Sequence, residues 1–179
     1  FEVLQHSQWW HKVFQKIQFG GRPVVSALQG AVVGGGLELA TSTHVRVADK
    51  SAFFQLPEGQ RGIFVGGGAS VRVGKIIGPD RMTEMMLTGR RYSAEDGYRL
   101  GLSHYLVEEG KALEEAMKLA AQIATNAPLS NWASITAVAN IGDMSMANGL
   151  YTESLAAAIA QSSDEANRRM QDFLNRKKG

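Results

Sequence analysis

The chain has no cysteine among its 179 residues. That removes disulfides, thiolate metal sites and a cysteine nucleophile together. It also suits a reducing compartment, so a cytoplasmic location is the expectation. No apolar run reaches the length of a bilayer-spanning helix, and no segment has signal-peptide form, so no membrane partner is expected. Charge of either sign is nearly balanced: 19 Lys and Arg against 17 Asp and Glu, a net +2. Nucleic-acid binders carry dense basic stripes. Here the one basic cluster is Arg176-Lys177-Lys178 at the end, which reads as a solvated tail, so nucleic acid is not an expected partner. His6, His11 and His104 lack metal-ligand spacing and no metal is expected. They read as surface or packing residues, as Trp9, Trp10, Met82, Met85 and Met86 read as core or interface. Proline is scarce at 4 residues, but glycine is plentiful at 20. The 44% hydrophobic content suffices for a buried core in one domain or a large part of one.

Periodicity places the elements. Val3, Trp10, Val13, Phe14 and Ile17 share one helical face, and Gly20-Gly21-Arg22-Pro23 ends that helix. The chain begins at Phe1 with its pattern already helical, which raises the expectation of a preceding N-terminal part. Strands are expected at Val24–Leu28, at His44–Ala48, from Ser51 to Leu56, and at Tyr105–Val107. Helices are expected near Ala69–Ile77, Arg81–Leu87 and Ala94–Leu100, the last with Ser93 as N-cap and Gly101 as its stop. From Lys111 the pattern is helical throughout. Leu113, Ala116, Ala120, Ile123 and Ala124 form an apolar face, Asn126-Ala127-Pro128 breaks it, and helices follow near Ser130–Ile141, Leu150–Gln161 and Asp164–Lys177. The reading is an α/β core, residues 1–110, followed by a helical C-terminal region, residues 111–179.

Two glycine triplets stand out. In "GAVVGGGLELA", Gly34, Gly35 and Gly36 open a helix, with Leu37, Ala40 and Thr41 pointing inward and Glu38 in its first turn. Glycine lets a ligand oxygen approach the unpaired N–H groups of a helix start. The same triplet also suits a tight turn with close packing, and Glu38 also suits a helix-start carboxylate. Neither the P-loop nor the dinucleotide-binding spacing is present. In "QLPEGQRGIFVGGGASVRVG", Glu58 follows a strand and a proline, and Gly66-Gly67-Gly68 opens the helix at Ala69. Glu58 taken alone also suits a surface ion pair. Two carboxylates brought close together cannot both ionise easily, which suits acid/base chemistry.

The segments "RPVVSALQGAVVGGGLELATSTHVRVAD", "FFQLPEGQRGIFVGGGASVRVGKIIG" and "MMLTGRRYSAEDGYRLGLSHYLV" resemble, in order, the crotonase superfamily of enoyl-CoA hydratases and isomerases. The resemblance implies a crotonase-like spiral of β-β-α units with a C-terminal helical trimerisation region, and a homotrimer or hexamer. It implies an acyl-CoA thioester substrate with no cofactor beyond the coenzyme A of the substrate. It matches Gly35 to an oxyanion-hole N–H donor and Gly34 and Gly66 to substrate-binding glycines. Glu38 and Glu58 match the two acid/base glutamates of hydratases, where isomerases commonly keep one. A second oxyanion donor and the CoA-binding loop would lie before Phe1. The implied function is hydration of a 2-enoyl-CoA. The alternatives are another family reaction (isomerase, hydrolase, decarboxylase or hydratase-lyase) or a non-catalytic CoA- or RNA-binding member. Departures from the family pattern are His44 where Asp is common, read here as structural, Val65 in place of a proline, Ser70 near a usual Thr, and Gly59-Gln60-Arg61. These bear on the acyl pocket. The terminal basic cluster is a candidate for reaching a CoA phosphate.

Overall fold

The structure, a computed structural model, describes residues 1–176. Lys177 and Lys178 of the basic cluster lie outside the described residues. Tertiary contacts divide the chain into two compact units: residues 1–20 with 24–120, and residues 21–23 with the chain from Ala121 onward.

In the first unit, α1 (Glu2–Phe19) leads into β1 (Val25–Leu28), β2 (Ala31–Val33), α2 (Gly35–Thr41), β3 (Val45–Asp49) and β4 (Phe53–Gln55). A 3-10 turn (Glu58–Arg61) follows, then α3 (Ala69–Ile77), α4 (Pro79–Thr88), β5 (Tyr92–Ser93), α5 (Ala94–Arg99), β6 (Tyr105–Val107) and α6 (Ala112–Ala124), which runs on into the second unit from Ala121. The strands sort into two sheets of order β1-β3-β6 and β2-β4-β5. All pairings are parallel except β4 with β5. The first two passes of the chain each give one strand to each sheet and then a helix, the β-β-α unit of the spiral, while in the third α5 stands between β5 and β6.

Both faces of the β1-β3-β6 sheet are covered, as parallel sheets require. Leu28 and Ala48 face the main core with Leu37, Phe54, Leu56, Val73 and Met85. Val47 faces the other way, onto Ala112, Ala116 and Leu119 of α6. This revises the expected face of α6: Leu113 and Ala124 are exposed, because spacing i, i+4, i+7 from Ala112 is the stripe that meets the sheet. Two further differences are strands. β2 and β5 were not expected, since two or three residues carry no periodicity; both exist by pairing with β4. On α1, Val3 is exposed and Phe14 is the buried residue.

The expected caps hold. The Ser93 hydroxyl accepts the Asp96 N–H at 3.1 Å, and Gly101 turns the chain with φ +83°. His44 is a tie between elements. Its Nδ1 accepts the Val24 N–H at 2.9 Å, so Nε2–H donates to the Gln18 carbonyl, also at 2.9 Å.

The second unit carries α7 (Pro128–Ile141), α8 (Met146–Gln161) and α9 (Asp164–Arg176). α7 and α8 pack on each other but bury little: Val138, Met146, Leu150 and Tyr151 stay exposed. Among the described residues no helix is long and apolar enough to cross a membrane.

Candidate active site

Glu38 and Glu58 are both buried, at 6% and 8% exposure, although both are ionisable. Such groups are rarely buried without partners, so the question for each is what donates to its oxygens.

Glu38 is delivered by α2, which the Gly34 turn starts. Gly34 sits at φ +52°, ψ −122°, a conformation open to glycine. One turn of helix then carries Leu37, Ala40 and Thr41 into the core, and Glu38 goes in beside them. Its Oε1 accepts the N–H of Gly67 at 2.7 Å and of Ala69 at 3.1 Å. The second glycine triplet is therefore the seat of the first glutamate. A Cβ on Gly67 would fall 2.6 Å from Glu38 Oε2, so only glycine leaves room for that carboxylate.

Glu58 begins the 3-10 turn after Pro57. Gly62 closes that turn at φ +70°, and the Ile63 N–H donates to the Glu58 carbonyl at 3.1 Å. The side chain reaches the first triplet: a Cβ on Gly34 would fall 2.8 Å from Glu58 Oε1. Each glycine turn thus holds one carboxylate. Glu58 Oε2 is buried without a hydrogen-bond partner. Burial pushes the Glu58 carboxyl above its ordinary pKa. Its own backbone N–H opposes this, the charge of Glu38 adds to it, and Arg61 opposes it.

The glycines divide their work. The Gly34 N–H is used on the Gln55 carbonyl at 3.0 Å. Gly35 and Gly36 are exposed, and a Cβ on either would meet nothing within 4 Å. The N–H groups of Gly35 and Gly36 find no acceptor among the described residues, as expected at a helix start. Gly66 is half-buried, its carbonyl accepting the Ser7 hydroxyl at 2.6 Å.

At Gly59, the residue after Glu58, a cavity of about 360 Å³ opens, lined also by Ile63, Phe64, Met82, Met86 and Leu87 but by neither glutamate. Of the departures in sequence, Gly59 and Ser70 line this cavity. Val65 is packed in the core, Gln60 donates to the Thr88 carbonyl, and Arg61 is exposed. Sequence reasoning missed the Gly67 and Ala69 amides as partners of Glu38. Backbone donors have no side-chain signature.

Taken together, a spiral of β-β-α units and two buried glutamates seated on glycine turns define the class. The family model for enoyl-CoA hydratase/isomerase matches residues 5–179, and the chain belongs to that family and has the crotonase fold. A crystal structure from Rhodopseudomonas palustris CGA009, provisionally assigned as an enoyl-CoA hydratase, matches with a TM-score of 0.94 at 53% identity. The match covers 98% of this chain and 68% of that one. The enoyl-CoA hydratase of Bacillus anthracis matches with a TM-score of 0.91 at 27% identity, over 98% of this chain and 68% of that one. The carnitinyl-CoA dehydratase of Salmonella typhi is 38% identical over 109 residues, which are 61% of this chain and 42% of the relative. The match thus spans less than half the length of that curated relative.

Proposed function

We propose that this chain carries the two-glutamate face of an enoyl-CoA hydratase-type enzyme, which adds water reversibly to a 2-enoyl-CoA. The observation that carries the reading is Glu58 Oε2: a buried, unpartnered carboxyl oxygen, on a group whose pKa burial raises, set against the first glycine turn. Such an atom is costly unless it meets a proton, a water or a substrate.

The Gly35 N–H donates to the thioester oxygen as negative charge builds there, a contribution of about 10²–10³ in rate per donor. Gly34 and Gly66 shape the groove that receives the substrate. Glu38 takes a proton from a water, whose oxygen bonds to Cβ. Glu58 delivers the proton that Cα gains as the enolate collapses, and the reverse sequence dehydrates a 3-hydroxyacyl thioester. Coenzyme A enters as part of the substrate, and the reaction needs no separate cofactor or metal. The apolar lining of the neighbouring cavity favours a hydrocarbon acyl chain. The exposed apolar residues of α7 and α8 suit burial against further copies of the chain, in a homotrimer or hexamer.

The test is turnover of a panel of 2-enoyl-CoA thioesters with product analysis. Glu38→Gln and Glu58→Gln should each lower kcat by about 10²–10⁴ with the fold intact. Turnover like that of the wild type in either variant overturns the two-glutamate mechanism. Products of double-bond migration alone would assign the isomerase reaction instead.

A further inference from the structure

Arg72 takes no part in the chemistry above, yet it is tied to the seat of Glu38. It lies in the first turn of α3, half-buried, and reaches backward along the chain. Its Nη1 donates to the Gly67 carbonyl at 3.2 Å, and its Nε donates to the Gln18 side-chain oxygen at 2.7 Å. The guanidinium lies over Gly68, where the chain turns at φ +106°; a Cβ there would run into Nη1. The peptide unit whose carbonyl Arg72 holds is the one that follows the Gly67 amide, the donor to Glu38. Gln18 is itself held, since its backbone carbonyl accepts His44 Nε2–H.

We propose that Arg72 is a positioning residue for Glu38. Braced by Gln18, it fixes the Gly67–Ala69 turn so that both amide donors stay aimed at Glu38 Oε1. This rests on the reading of Glu38 as an acid/base group. The reason is geometric. The turn has two glycines in succession and no side-chain cap on α3, so its own backbone preference is weak. A planar guanidinium that bridges the Gly67 carbonyl and Gln18 supplies the missing restraint. Its charge also faces Glu38. Burial lowers the Arg72 pKa and the charge of Glu38 opposes that shift. Glu38 in turn acts on Glu58, whose pKa its charge raises. Lysine cannot span both acceptors with a fixed plane, so the conservative exchange should fail to restore the effect.

The experiment compares Arg72→Gln, Arg72→Lys and Gln18→Ala with the wild-type chain, alone and combined with Glu38→Gln. Arg72→Gln should lower kcat by at least about tenfold with KM changed by less than about threefold. In the Glu38→Gln background it should cost little more, because the two act through one group. Arg72→Lys should behave like Arg72→Gln, and Gln18→Ala should show a smaller loss of the same kind. Amide hydrogen exchange should speed up at Gly67 and Ala69 in Arg72→Gln and not across the β1-β3-β6 sheet. An unchanged kcat, a full additive loss in the Glu38→Gln background, or unchanged exchange at Gly67 and Ala69 overturns the proposal. Should the wild-type protein turn over no enoyl thioester, the hydratase reading fails, and exchange at these two amides alone decides the role of Arg72.

Discussion

The Gly67 N–H meets Glu38 Oε1 at 2.7 Å across a sequence separation of 29 residues, and this contact ties the helix opened by the first glycine turn to the second turn. The glycine is there for room as much as for the donor. An added Cβ would fall 2.6 Å from Glu38 Oε2 and 2.9 Å from Phe14 Cε2. Gly67→Ala should therefore displace the carboxylate and overpack Phe14. The expected outcome is a loss of about 1–3 kcal/mol in stability with a kcat/KM loss exceeding tenfold. Thermal unfolding beside steady-state kinetics checks it.

Gly35 is the opposite case. A Cβ there meets nothing, and the residue begins a helix, where alanine is the better former. Gly35→Ala should keep or slightly raise the melting temperature while lowering kcat by about 10²-fold, because the methyl group occupies the space a thioester oxygen needs. Full activity in a folded Gly35→Ala protein would remove Gly35 from the oxyanion site.

Glu58 should leave a mark on stability against pH. Its pKa is raised in the folded protein, chiefly by burial. Below about pH 4, the ordinary glutamate range, folded and unfolded chains are both protonated and the residue costs nothing by charge. As pH rises from there, the unfolded chain ionises first while the folded protein keeps its proton, and stability falls until the folded-state value is passed. The melting temperature of Glu58→Gln should gain on the wild type as pH rises above about 4, and the gap should be flat below that. A gap independent of pH would show that Glu58 does not hold its proton in the fold.

A control variant belongs in the core. Gly97 of α5 packs on Phe54 so closely that an added Cβ would lie 2.1 Å from Phe54 Cε2. Gly97→Ala should cost about 1–3 kcal/mol despite the better helix propensity of alanine. Residual folded protein should keep its kcat, since the overpacking falls on Phe54 in the core and not on a glycine turn. Urea unfolding and kinetics at low temperature separate the two readouts.

Much of this protein is written locally. The order of strands and helices followed from periodicity, from Gly20, Gly101 and Pro128 as stops and starts, and from Ser93 as a cap, because each acts within a few residues of itself. Glu38 and Glu58 were marked out by lying near glycine-opened helices. Tertiary structure decided what those glutamates touch. Whether Glu38 faced solvent or a pocket turned on α3 bringing the Gly67 and Ala69 amides to it, and Glu58 could have been a surface ion pair until the chain laid it against Gly34. β2 and β5, too short to announce themselves, were settled by their pairing with β4, and the buried face of α6 by the sheet it lies on. Bonds made by backbone amides, and the room left by an absent Cβ, depend on which distant segment arrives; no local pattern of side chains encodes them.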